Sequence, residues 1–138
     1  MEPVKLNAII YQGATFRLDL DRVMYPYPVT VNAEGQVLRM DGTPAADEDR
    51  TADNYLNCMA RMQIRQTLDS PVVIATLTTE NGGIMLAANR VSLYISDEDT
   101  ADMTGWQTAI GHIEIVRPNG DVERQYEITF SLDPEVTR

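Results

Sequence analysis

The sequence predicts an all-β fold, an antiparallel sandwich of about seven principal strands in one domain. Three observations carry that prediction. Segments with alternating apolar and polar residues recur along the chain, turn signals rich in Gly, Pro and Asn separate them, and Ile113 to Leu132 reads as one long hairpin. A small barrel is the other way of closing the same pattern.

In chain order, Leu6, Ala8 and Ile10 alternate with more polar neighbours in a first strand, which Gln12-Gly13 interrupts. Ala14, Phe16, Leu18 and Leu20 then alternate with Thr15, Arg17, Asp19 and Asp21, so one strand face is apolar and the other wet. Residues 24 to 55 behave differently, because Tyr25-Pro26-Tyr27-Pro28 removes ladder donors and cannot sit in a central strand. Val29-Thr30-Val31 and Gln36 to Met40 flank Asn32-Ala33-Glu34-Gly35 and read as a small surface hairpin. Asp41 to Pro44 ends it, and the acidic stretch from Ala45 to Asn54 reads as an exposed loop or weak helix.

Order resumes with Leu56, Cys58, Ala60, Met62 and Ile64 on one strand face. Val72 to Thr78 is rich in β-branched residues, and Asn81-Gly82-Gly83 turns it into Ile84-Met85-Leu86. Val91, Leu93 and Ile95 alternate with Ser92 and Tyr94. Ser96 followed by Asp97-Glu98-Asp99 predicts a short helical turn to about Met103, since a serine oxygen caps free N–H groups and early carboxylates suit the positive helix end. The last hairpin turns at Pro118-Asn119-Gly120-Asp121. Its return strand is expected to point Val122, Tyr126, Ile128, Phe130 and Leu132 inward and Glu123, Gln125, Glu127, Thr129 and Ser131 outward, with Arg124 breaking the apolar set.

A chain of 138 residues fits a single domain spanning 1–138, with the hairpin and acidic loop of about 24–55 inserted in it. The formal charge of −10 argues against nucleic acid, which needs a basic footprint, and against anionic lipid, but permits a basic protein partner. Cys58 is the one cysteine, so no intramolecular disulfide forms, and its place in the pattern suggests a small buried hydrophobe. The start Met-Glu-Pro-Val-Lys lacks a secretion-signal pattern, and no run of about 18 apolar residues occurs. The expectation is synthesis in a cytoplasm without export.

Reactive constellations are sparse. One histidine and one cysteine do not make a metal site, so His112 reads as structural and no cofactor is expected. No nucleophile elbow, P-loop or dinucleotide fingerprint occurs. Asp19 with Asp21, Asp47-Glu48-Asp49, and Asp97-Glu98-Asp99 with Asp102 match no calcium loop and read as capping or solvation. The chain is expected not to be an enzyme. Tyr25, Tyr27 and Trp106 lie in connections, where they serve either as contact anchors or to pin loops down.

Ile9-Ile10-Tyr11-Gln12-Gly13-Ala14-Thr15-Phe16, Ala60-Arg61-Met62-Gln63-Ile64-Arg65, Leu77 to Ile84, Val91 to Ser96 with Thr100-Ala101, and the ending Ser131 to Arg138 resemble a group of small phage virion-associated proteins. The module is similar to the immunoglobulin-like N-terminal domain of phage baseplate upper proteins. The resemblance covers about residues 6 to 23 and 57 to 138. It implies an immunoglobulin-like sandwich and a structural role in a phage tail, baseplate or neck, in symmetric copies among other virion proteins, and it carries over no catalytic residue. A capsid decoration protein and a carbohydrate-binding module are the alternatives. Between Met24 and Asn57 the chain departs from that group, whose connection there is shorter. The expected contacts are therefore Tyr25, Tyr27, Val37, Leu38, Met40, Asp47, Glu48 and Asp49, with Trp106 beside them.

Overall fold

The computed structural model describes residues 3–137. Met1, Glu2 and Arg138, part of the expected domain 1–138, lie outside the described residues. The protein is mostly β, with half of its residues in strands and one short helix. The chain runs through β1 (Val4–Tyr11), β2 (Phe16–Asp21), β3 (Val23–Met24), β4 (Val29–Val31), β5 (Val37–Arg39) and β6 (Thr51–Ala52). It continues through β7 (Met59–Arg65), β8 (Ala75–Thr78), β9 (Ile84–Ala87), β10 (Arg90–Ile95), helix α1 (Asp97–Ala101), β11 (Thr108–Val116) and β12 (Val122–Asp133). Two main sheets result, in the orders β1-β12-β11-β7-β8 and β2-β10-β9, and two short ladders, β3-β6 and β4-β5, lie in the insertion.

Period-two alternation becomes burial. Ala60, Met62 and Ile64 of β7, Val91, Leu93 and Ile95 of β10, Ala109, Ile113 and Ile115 of β11, and Tyr126, Ile128 and Phe130 of β12 are all buried. Side chains from both main sheets join one core. Phe16 of β2 meets Phe130 of β12 edge to face, with ring centroids 6.0 Å apart. Burying a side chain of that size stabilises the fold by about 2–3 kcal/mol.

Local punctuation holds the elements in place. Ser96 caps α1 by accepting from the Asp99 N–H at 3.2 Å, as expected. Thr100, fully buried, donates to the Ala14 carbonyl at 2.8 Å and accepts from the Gly13 N–H at 3.1 Å, tying α1 to the turn after β1. Gln12 in that turn donates to the Met103 carbonyl at 2.7 Å and accepts from Glu135 N–H at 2.8 Å. Gly83 lies so near β8 that a Cβ there would stand 2.9 Å from the Leu77 backbone, which explains the glycine where the chain passes between sheets.

Four expectations need correction. The larger sheet is mixed, because β1 pairs with β12 in parallel, Val4 opposite Tyr126 through Tyr11 opposite Asp133. Hairpin turns dictate antiparallel neighbours, but β1 and β12 are joined by no turn and their direction is free. The second correction concerns β12. Tyr126 faces Ile113 and Arg124 faces Glu114, so Gln125 is an extra, bulged residue. The bulge reverses the alternation: Gln125 is fully buried, Val122 is 49 % exposed, and Arg124 points outward without breaking any apolar row. Beyond the bulge the expected inward set holds for Tyr126, Ile128 and Phe130, with Leu132 half-buried against the core. Third, β7 starts at Met59, so Leu56 is exposed and Cys58 is half-buried in the preceding turn. Last, β2 and β8 begin late, leaving Ala14 and Val72 exposed outside them.

Candidate functional site: the inserted segment and its anchor

The insertion leaves β2 at Arg22 and comes back beside Arg22 at Asp53, before the chain enters β7 of the larger sheet. Its base is closed by the β3-β6 ladder, Val23 opposite Ala52 and Met24 opposite Thr51. Beyond that base, β4 and β5 form the expected small hairpin, Val29 opposite Arg39 and Val31 opposite Val37. The Asn32 side chain shapes its turn by accepting from the N–H groups of Glu34 at 3.1 Å and Gln36 at 2.8 Å. The acidic stretch makes a 3-10 turn at Asp47–Asp49.

Polar and aromatic contacts organise the insertion. Tyr27 donates its hydroxyl to Asp49 at 2.8 Å, the Arg39 guanidinium lies 4.1 Å above the Tyr27 ring, and Arg39 pairs with Asp49 at 3.3 Å. The Tyr25 ring packs 5.8 Å from Tyr27. Partial loss of solvent, and then the Asp49 bond, push the Tyr27 phenol above its ordinary value. None of residues 23–52 is buried. Val31 is 63 % and Met40 70 % exposed, and Val37 and Leu38 are half-buried.

The expected contact residues therefore separate into two sets. Met40, Asp47 and Glu48 are open to solvent, and the Asp47 side chain is 85 % exposed. Tyr25, Tyr27, Val37, Leu38 and Asp49 are half-buried, and Tyr27 and Asp49 are partners in the clamp that shapes the segment. Trp106 needs correction as an anchor. Only 8 % of it is exposed and it belongs to the core, so of its two expected roles it fits the second, pinning its connection down.

Sequence reasoning missed the anchor beneath the insertion. Asp53 is buried, and Arg117 grips it with two hydrogen bonds, Nη2 to Oδ2 at 2.8 Å and Nη1 to Oδ1 at 3.1 Å. Arg22, also buried, approaches the same carboxylate at 3.3 Å. Arg117 pairs as well with Glu123, at 3.0 and 3.2 Å. Gln125, the bulged residue, donates to Glu123 at 2.9 Å and accepts from the Tyr55 hydroxyl at 2.6 Å. The backbone repeats the tie: Asp53 N–H donates to the Arg22 carbonyl at 3.0 Å, and Arg22 N–H to Asn89 at 2.9 Å. The two residues that bound the insertion are thus locked to the tip of the β11-β12 hairpin.

Electrostatics matches this geometry. Burial pushes the Asp53 carboxyl up, but the Arg117 hydrogen bond, the Asn54 N–H and the charges of Arg117 and Arg22 outweigh it and hold Asp53 below the usual carboxylate range. The Arg117 bond also holds Glu123 low, and burial raises the Tyr55 phenol so that it stays a donor. Two sequence signals point to this anchor. Arg22 and Asp53 stand at the two ends of the departure from strand pattern, and Arg124 in an apolar row marks the bulge.

The two carboxylates of β2 share an ordinary partner. Asp19 and Asp21 flank Arg90 at 3.8 and 2.8 Å on the exposed β2-β10 face. Among the described residues no group of three or more His, Cys, Asp or Glu side chains is placed to hold a metal ion, and no helix is long and apolar enough to cross a membrane. No protein-family model matches the chain, and comparison with curated proteins finds no significant match.

Proposed function

We propose that this chain is a structural adaptor of a bacteriophage particle, in the tail, baseplate or neck, which packs against other virion proteins in several symmetric copies, with its inserted segment as an assembly contact. Its body is then an immunoglobulin-like sandwich, in which the β1-β12-β11-β7-β8 and β2-β10-β9 sheets share one core. The observation that carries the reading is the contrast within the insertion. Its root is held by a buried network of charges, while the segment beyond buries no residue and leaves Val31 and Met40 open. An isolated two-stranded hairpin is marginal in water, so a rigidly rooted one with open apolar side chains is suited to being covered by a partner. The sequence resemblance to virion-associated proteins supplies the address. The protein acts by contact, with no catalytic step.

The test removes the insertion without touching its anchor. Replacing residues 25–50 with a short Gly-Ser turn joins Met24 to Thr51, which already face each other, and spares Arg22 and Asp53. The variant is expected to stay folded and to be lost from purified particles. Wild-type occupancy of the particle by that variant would overturn the reading.

A further inference from the structure

The outward face of the larger sheet carries a groove of 480 Å³ between β7, β8 and β11, lined in part by Arg61, Arg65, Leu68, Ile110, His112 and Glu114. Its charge runs against that of the chain. The groove holds two arginines and one carboxylate, whereas the whole protein has 21 acidic residues and 11 Lys and Arg. Arg61 is partly neutralised by Glu114 at 3.0 Å. Arg65 is held by two neutral acceptors, the Ser70 carbonyl at 2.7 Å and the Gln63 side chain at 2.8 Å, so its charge remains available. The rim adds an apolar side chain, Leu68, at 73 % exposure.

The insertion offers the complement. Acidic residues outnumber basic ones between residues 23 and 52. Asp47 is 85 % exposed and meets Arg50 only at 3.9 Å, Glu48 is exposed, and Met40 is 70 % exposed. No residue of the insertion lines the groove, so the chain does not fill its own. A surface that fits a different surface of the next copy makes a heterologous contact, and such contacts close into rings when the rotation permits.

We propose that the inserted segment of one copy docks into the Arg61–Arg65 groove of the next, so that the protein assembles head to tail into a ring. The inference rests on the reading of the insertion as an assembly contact and adds the occupant of the groove. Asp47 and Glu48 face the two arginines, and Met40 meets the apolar rim. Complementary charge of this exposed kind sets register and is weakened by salt.

The experiment measures self-association of the full chain by sedimentation velocity at low and high salt. The wild type is expected to form a defined oligomer that weakens with salt. Asp47→Arg with Glu48→Arg, and separately Arg61→Glu with Arg65→Glu, should each weaken association about tenfold or more, roughly 1.4 kcal/mol or more. A chain carrying all four changes should recover it, which no folding defect would do. A monomeric wild type at every concentration, or failure of the four-fold variant to recover, overturns the ring. If the ring fails while loss of residues 25–50 still excludes the protein from particles, the adaptor reading stands. If that shortened variant enters particles normally, the adaptor reading itself falls.

Discussion

Arg117 meets Asp53 through both ends of its guanidinium and reaches Glu123 with the same group, at a place where Asp53 is only 5 % exposed in its side chain. Removing one partner of a buried pair leaves a charge without compensation, so Arg117→Ala is expected to cost about 3–5 kcal/mol in urea unfolding. Arg61→Ala on the outer face, whose pair with Glu114 is 55 % and 35 % exposed, should cost no more than about 1 kcal/mol by the same measurement. The two carboxyls of the anchor also make a signed pH prediction. Asp53 and Glu123 are held below their unfolded values, so the stability they contribute is present above about pH 4 and is lost as the pH falls through the lowered folded values. The urea midpoint should therefore drop between about pH 5 and about pH 3, and Arg117→Ala should flatten that drop. Equal acid slopes in the two proteins would dissociate the carboxyls from Arg117.

At the level of elements, β12 is the strand on which the fold turns. It pairs with β1 on one side and β11 on the other and carries Phe130, which is fully buried. Phe130→Ala is expected to cost about 3–5 kcal/mol, and a loss below about 1 kcal/mol would mean that the register is wrong. The short helix depends on a different kind of joint. Thr100→Val keeps the shape but removes the hydroxyl that bridges Ala14 and Gly13, so the loss should be about 1–3 kcal/mol, with amide exchange quickening first in residues 12–14 and α1.

For the whole molecule, the core and the insertion are separable in stability. Residues 23–52 contribute no buried side chain, so replacing residues 25–50 with a short turn should shift the unfolding free energy by less than about 1 kcal/mol. A large loss would show that the insertion is part of the folding unit. Removing its root instead, by Asp53→Ala, should cost about 3 kcal/mol or more, because Arg22 and Arg117 would then face each other without the carboxylate.

The sequence by itself determined most of the principal strands, because side chains in a strand alternate and one buried face leaves a period-two trace in β2, β7, β10, β11 and most of β12. It determined the caps and turns at Ser96, Asn32 and Asn119-Gly120 for the same reason: these act over a few residues. It also marked residues 24 to 55 as foreign to the strand pattern. Only the tertiary structure decided the parallel partner of β1, the bulge at Gln125 that turned Glu123 inward, the burial of Trp106, and the meeting of Arg22, Asp53 and Arg117. Each depends on residues far apart in the chain, and periodicity records which face of its own strand a residue occupies but not what packs against that face.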